Sequence, residues 1–241
     1  MNHPFATTLA DEAAQPFRAA GHFAYHFARG KLGGDCIFRE LLRRGLFPAS
    51  GHFLDLGCGQ AVFASWLLAA RRRFERGNWP DNWPPPPHVQ SLRGFELMPK
   101  DVARANMALA AEAPRVSIRQ GDICVTDFGQ ADVVTILDVL HYIDYPGQED
   151  ILRRVRAALP PGGVFITRVG DREGGLPFHV CNGMDKLVCF VRGHRLPRLY
   201  CRSLREWVAL VDQQGFRVET IPMSEGKPFA NTMLVARLPA D

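Results

Sequence analysis

No apolar run in this chain is long enough to cross a bilayer. The longest, about Phe63 to Ala70 with Ser65 inside it, falls far short of the ~20 residues a spanning helix needs. Lysine is nearly missing, at positions 31, 100, 186 and 227 only, so almost all of the 29 basic residues are arginine. Set against 25 acidic residues this gives a net charge of +4, too small a surplus to mark a nucleic-acid-binding protein. The six cysteines, at 36, 58, 124, 181, 189 and 201, include no Cys-x-x-Cys pair, so neither a disulfide framework nor a zinc site is expected. His179 and Cys181, one residue apart, come nearest to a ligand pair, and no metal is expected. The first 14 residues lack a basic start and an apolar stretch and carry Asp11 and Glu12, so the expected location is cytoplasmic.

What is present is ordinary globular material: 241 residues, 46% of them hydrophobic, with no internal repeat. Short β-branched runs alternate with helical patterns, which predicts an α/β fold with a mostly parallel sheet and helices on both faces. The strands read as His52 to Leu56, Leu92 to Glu96, Val116 to Gln120, Val133 to Leu137, Val164 to Arg168, Arg217 to Ile221 and Thr232 to Arg237. Helices fall at about 60 to 75, 99 to 112, 148 to 159 and 203 to 214. A short link between the last two strands predicts an antiparallel pair at one edge of a doubly wound, seven-stranded sheet.

Residues 1–50 read as an N-terminal helical cap, with an aromatic-rich helical stretch at about 12 to 46, packed on the sheet edge or serving as a lid; residues 51–241 form the main domain. Two insertions interrupt that domain. The first, about 77–90, holds GNWPDNWPPPPH, with five of the 18 prolines, and reads as a stiff surface spacer. The second, about 170–199, follows the fifth strand and includes a short helix near Met184 to Val191; the connections after parallel strands are where such folds build substrate sites.

The strongest local signal is Phe53-Leu54-Asp55-Leu56-Gly57-Cys58-Gly59-Gln60-Ala61, a strand running into a glycine turn and then a helix. Gly57 and Gly59 allow a sharp bend and let a ligand touch the main chain. A dinucleotide fingerprint would place Gly or Ala where Val62 stands. Three acids accompany the turn at successive strand ends: Asp55, then Glu96 in Gly94-Phe95-Glu96-Leu97, then Asp122 in Gln120-Gly121-Asp122-Ile123. An anion beside the loop works against a pyrophosphate and favours a ligand carrying an amino group and a sulfonium. A carboxylate at the second strand tip suits a ribose diol, because it accepts two hydroxyl hydrogen bonds.

In these residues the chain resembles the class I S-adenosylmethionine-dependent methyltransferases. Asp55 to Gly59 looks like that family's first motif, Glu96 its ribose-binding acid, Gly121-Asp122-Ile123 its adenine-binding segment and Asp132 to Tyr142 its fourth motif. Leu159-Pro160-Pro161-Gly162-Gly163 is similar to its turn into the fifth strand, and the resemblance runs in order from about 50 to 238. It implies S-adenosyl-L-methionine as cofactor and S-adenosyl-L-homocysteine as product. Asp55 would face the methionine amino group, and Gly57, Cys58 and Gly59 would lie along the methionine moiety. Glu96 would hold the ribose hydroxyls, Asp122 the adenine amino group, Ile123 would pack on the ring, and Leu97 would be a further cofactor-binding residue. Asp138 would touch the cofactor backbone or cap the next helix, and Lys31, with Arg29, would meet the methionine carboxylate or an acidic acceptor from the lid. Glu96 lies 37 residues after Gly59 rather than the roughly 20 of an uninterrupted unit, an excess the proline-rich insertion accounts for.

Methyl transfer from a sulfonium needs alignment and exclusion of water, with a general base only where the acceptor is a phenol or similar group. His141 and His179 are the candidates for that base. The acceptor is read as a small aromatic or acyl metabolite methylated on oxygen or carbon. Arg192, Arg195, Arg198, Arg202 and Arg205 with Lys186 form a basic stretch that suits an acidic carrier protein bearing it. Leu137-Asp138-Val139-Leu140 stands where an N-methylating signature would be, which speaks against amide targets. An RNA methyltransferase, a nicotinamide (NAD or NADP) oxidoreductase and a non-catalytic cofactor-binding subunit are the rival readings.

Overall fold

Runs of buried β-branched and aromatic residues build the sheet, and amphipathic stretches between them build the helices. The computed structural model describes residues 4–172, 199–223 and 231–240. Its strands are β1 (Ser50–Leu56), β2 (His88–Glu96), β3 (Val116–Gln120), β4 (Val133–Leu137), β5 (Val164–Gly170), β6 (Arg217–Pro222) and β7 (Asn231–Arg237), in the sheet order β3-β2-β1-β4-β5-β7-β6. β2 runs parallel to β1 and to β3, whereas β7 runs antiparallel to both β5 and β6. This is the seven-stranded α/β sheet with an antiparallel last strand that the sequence implies.

The chain divides into two compact units, Met1–Asp127 with Ala131–Val133, and Phe128–Gln130 with Val134–Asp241. In the first, the N-terminal residues form three helices, α1 (Pro4–Ala14), α2 (His22–Gly34) and α3 (Cys36–Arg43), in place of one long helical stretch. Gly21, at φ 100°, breaks the first two apart, and the Asp35 side chain, accepting the Ile37 N–H, starts the third. They pack on α4 (Val62–Glu75). Ser65 donates to the Ala13 carbonyl at 2.7 Å, Trp66 Nε1 to the Phe38 carbonyl at 2.9 Å, and Arg73 pairs with Glu12 at 2.7 Å. Residues 62–70 of α4 are consequently buried all round, which is why the helix reads as apolar on every face.

β2 begins at His88, inside the stretch the sequence assigns to the loop, because Ser50 and His88 already pair across the β1–β2 ladder. The proline-rich segment before it is pinned by its own aromatics. Trp79 donates to the Pro84 carbonyl at 3.0 Å, and its ring meets Trp83, Phe5 and Phe74 edge-on. After β2 comes α5 (Pro99–Ala108), shorter than the sequence suggests because a 3₁₀ turn, Ala110–Glu112, takes over. β2 also approaches the β1–α4 turn closely: a Cβ on Gly94 would lie 2.6 Å from Ile118 Cδ1 and 2.8 Å from Cys58 Sγ.

In the second unit, β4 and β5 are buried almost end to end, as strands covered on both faces are. α6 (Tyr145–Ala158) starts earlier than the periodicity suggests, because Asp144 caps it by accepting the Gly147 N–H at 2.9 Å. Gln148 is fully buried on this helix and donates to the carbonyls of Leu140, Ile143 and Tyr200 while accepting from Arg202. α7 (Leu204–Gln213) opens with a capping box, Ser203 and Glu206, and buries Trp207 and Val211.

Two outcomes are expected from this packing. Glu40, 6% exposed on α3, is surrounded by Arg39, Arg43 and Arg44. Burial alone would raise its carboxyl, but the hydrogen bonds from Arg43, Arg44 and Arg39 win and hold it at about 2, below the ordinary 4.5. A depressed carboxyl stabilises the fold above its unfolded value and loses that contribution as the pH falls toward its folded one. Glu40→Gln should therefore cost about 1–2 kcal/mol at neutral pH in urea unfolding, with a gap from the parent protein that narrows below pH ~4.5; a gap independent of pH would contradict this. Gly94→Ala should cost about 1–3 kcal/mol through overpacking against Ile118 and Cys58, whereas an unchanged midpoint would show that the two strands separate freely.

Candidate functional site

The turn after β1 is held by the end of β2. Gly57 and Cys58 both donate their backbone N–H groups to the Phe95 carbonyl, at 2.8 and 3.1 Å. Gly59 donates to Glu96 Oε2 at 2.8 Å, and the other carboxylate oxygen accepts the Met98 N–H at 2.9 Å, at the start of α5. Three successive N–H groups of the turn thus have partners within the protein. A pyrophosphate-binding loop leaves such groups pointing at the ligand.

Backbone conformation explains the glycines. Gly57 and Gly59 have φ of 71° and 56°, and beside Gly59 a Cβ would meet nothing within 4 Å, so the main chain borders open space there. Ala61, at φ 57°, adopts the same left-handed conformation without being glycine. Its side chain is fully buried. Nothing in the residue type marks Ala61 for this conformation, unlike the two glycines. Gln60, only 1% exposed, has neither Nε2 nor Oε1 hydrogen-bonded among the described residues. That leaves a buried donor and acceptor in the loop for a ligand or a water to satisfy.

The electrostatics around the turn are negative. Asp55 is 3% exposed at the end of β1 and Glu96 is half-buried. Burial pushes the Cys58 thiol well above its ordinary value, and the charges of Asp55, Glu96 and Asp101 push it further the same way. A field that opposes a thiolate favours a cation in the same place.

At the β3 end, the Gly121 N–H reaches the Glu96 carbonyl at 3.0 Å. Asp122 Oδ1 accepts the Cys124 N–H at 2.9 Å in a turn of its own making. Ile123 is buried, whereas Leu97 is 58% exposed, an apolar side chain on the open surface next to Glu96. Asp55, Gly57, Cys58, Gly59, Glu96, Leu97, Asp122 and Ile123 therefore all lie at the ends of three adjacent parallel strands in the first unit.

Other expected residues are engaged elsewhere. Lys31 pairs with Asp35 at 2.9 Å, one turn on along α2, and Arg29 with Asp11 at 2.6 Å. In the second unit Asp138, at φ 61°, is held in two places by the guanidinium of Arg168, which is 7% exposed, and the cap of α6 is Asp144. His141 lies half-buried in the 3₁₀ turn Leu140–Tyr142, its ring 4.1 Å from that of Tyr142 and its carbonyl accepting the Tyr200 N–H. His179, Cys181, Lys186, Arg192, Arg195, Arg198 and the short helix expected near Met184 to Val191 lie outside the described residues. Among the described residues no group of three or more His, Cys, Asp or Glu could hold a metal, and no helix is long and apolar enough to cross a membrane.

This donor set fits S-adenosylmethionine: carboxylates and an acidic field for a ligand with a sulfonium and an amino group, open space at Gly59, and an orphaned amide in the loop. Comparison with known proteins agrees. Residues 54–165 match the family model of a methyltransferase domain. Over 117 residues the chain is 32% identical to a carboxy-S-adenosyl-L-methionine synthase of Chromohalobacter salexigens, a match covering 48% of this chain and 38% of that protein. The chain thus spans about two fifths of the length of this curated relative. An O-methyltransferase family protein from Burkholderia thailandensis superposes with a TM-score of 0.63 at 18% identity, over 92% of this chain and 62% of its own. A magnesium protoporphyrin IX methyltransferase from Synechocystis, solved with bound S-adenosylhomocysteine, gives 0.57 at 16% identity, over 84% of this chain and 80% of its own. Residues 54–165 thus match a methyltransferase domain, the fold is the Rossmann-like α/β fold of the solved methyltransferases, and together they indicate S-adenosylmethionine as the cofactor.

Proposed function

We propose that this protein methylates an oxygen or carbon atom of a small aromatic or acyl metabolite. The observation that carries the reading is the turn itself, whose N–H groups are taken by β2 while carboxylates surround it, an arrangement made for a cationic ligand and against a pyrophosphate. That separates methyl transfer from hydride transfer on the same fold. The names of the solved neighbours, an O-methyltransferase family protein and a porphyrin methyltransferase among them, support a small-molecule acceptor.

The bound cofactor supplies an activated methyl group on a positively charged sulfur. Asp55 offers its buried carboxylate to the amino group at the methionine end, and the Gly57–Gly59 backbone lies along that moiety. Glu96 has both oxygens engaged by N–H groups, yet each keeps acceptor capacity for a ribose hydroxyl. Ile123 and Leu97 would offer apolar surface to the adenine, and Asp122 would accept from its amino group. No covalent nucleophile on the enzyme is needed, because an in-line displacement asks for alignment and a dry site.

For a phenolic acceptor, His141 or His179 takes the proton. Lys31 and Asp138, which pair with Asp35 and Arg168, would add contacts to the cofactor. An acidic carrier protein is a further reading for the basic stretch. Arg202, however, is committed to Gln148 and Glu149, which leaves Arg192, Arg195, Arg198 and the exposed Arg205 to carry it.

Calorimetry with S-adenosylhomocysteine tests the assignment of the acids. Asp55→Ala and Glu96→Ala should each weaken binding about 10- to 100-fold, as loss of a charge-assisted hydrogen bond worth about 1.5–3 kcal/mol implies, with far-ultraviolet circular dichroism unchanged. Parent-like affinity in both variants would remove these residues from the cofactor site. His141→Ala should lower kcat by about 10²-fold or more without changing that affinity if it is the base; an unaltered kcat on a phenolic acceptor assigns it to packing.

A further inference from the structure

On α2, His22 and His26 stand one helical turn apart and both are exposed. Their Nε2 atoms lie 3.0 Å from each other and their ring centroids 4.2 Å apart. Residues four apart share a helix face, so the backbone itself brings the two imidazoles together. Without a ligand this contact is one shared N–H···N hydrogen bond, since two protonated nitrogens cannot approach so closely. Once the donating ring carries its proton on Nδ1, both Nε2 lone pairs are directed into the same space.

We propose that His22 and His26 are a two-imidazole surface site for a divalent transition-metal ion of the copper(II) class. An ion about 2.0–2.1 Å from each nitrogen would see the pair at about 91–97° across the 3.0 Å separation. That angle belongs to neighbouring positions of a square-planar or octahedral ion. Imidazole is a good donor to copper, and copper(II) stands highest in affinity among divalent first-row ions. The Tyr25 ring packs edge-on against His26, its centroid 5.1 Å away, which restricts the imidazole's orientation, while Arg18 sits 4.0 Å over the Tyr25 face. Among the described residues no third His, Cys, Asp or Glu completes the group, so water fills the remaining positions. The proposal does not depend on methyl transfer.

The test uses the full chain with His3→Ala as background, so that the histidine at position 3 contributes nothing. Copper(II) is titrated calorimetrically, and the bound ion is read by electron paramagnetic resonance. The expected result is one ion per chain with hyperfine structure from two imidazole nitrogens. His22→Ala and His26→Ala should each weaken binding about tenfold or more, while His88→Ala, which removes another exposed imidazole, should not. Each variant should keep the helical signal and the affinity for S-adenosylhomocysteine of the background protein, because both side chains are exposed. Copper binding unchanged in His22→Ala and His26→Ala, a signal without two coordinated nitrogens, or equal loss in His88→Ala would overturn the proposal.

Discussion

A carboxylate from β2 closes the turn that follows β1. Glu96 accepts the Gly59 N–H through one oxygen and the Met98 N–H through the other, so it fixes at once the glycine turn and the first residues leading into α5. Much of the site's character follows from this. Donors that could have faced a phosphate are spent inside the protein, and the negative charge that replaces them sits beside the buried Asp55. Burial pushes the Cys58 thiol above its ordinary value, and the same field adds to that. In such surroundings a positively charged sulfur and an ammonium group are welcome, and a pyrophosphate is not.

The clamp depends on close packing behind it. Gly94 has no side chain, and only so can β2 lie against Cys58 and Ile118. The N-terminal helices stabilise the other side of the same unit by burying α4, the helix that continues from the turn. Lys31 pairs with Asp35 just past α2, and Arg29 ties α2 to Asp11 of α1. In the other unit Asp138 faces Arg168, a pairing between residues 30 positions apart that no local pattern shows.

How much of this could be read from the residues depended on range. Strand cores such as Val133–Leu137 and Arg217–Pro222 announce themselves by runs of apolar or β-branched residues, and the turn by its glycines; these are local signals. β2 escaped at its first four residues because His88 to Ser91 follow four prolines and show no alternation, while their pairing with Ser50 to His52 is set by the neighbouring strand. The N-terminal breaks escaped because Phe17, Phe23 and Phe38 keep an aromatic pattern running through Gly21 and Asp35. The acids at 55, 96 and 122 were visible as strand-end residues. That Glu96 would spend its oxygens on Gly59 and Met98 was not, because a contact across 37 positions is a product of the fold.

The acidic turn is suited to a sulfonium nucleoside over a dinucleotide. Calorimetric titration of the unmodified protein with S-adenosylmethionine and, separately, with the oxidised nicotinamide dinucleotides tests it most directly. Saturable binding of one S-adenosylmethionine per chain and no heat from either dinucleotide is the expected result. Saturable dinucleotide binding in the absence of any S-adenosylmethionine heat would contradict it.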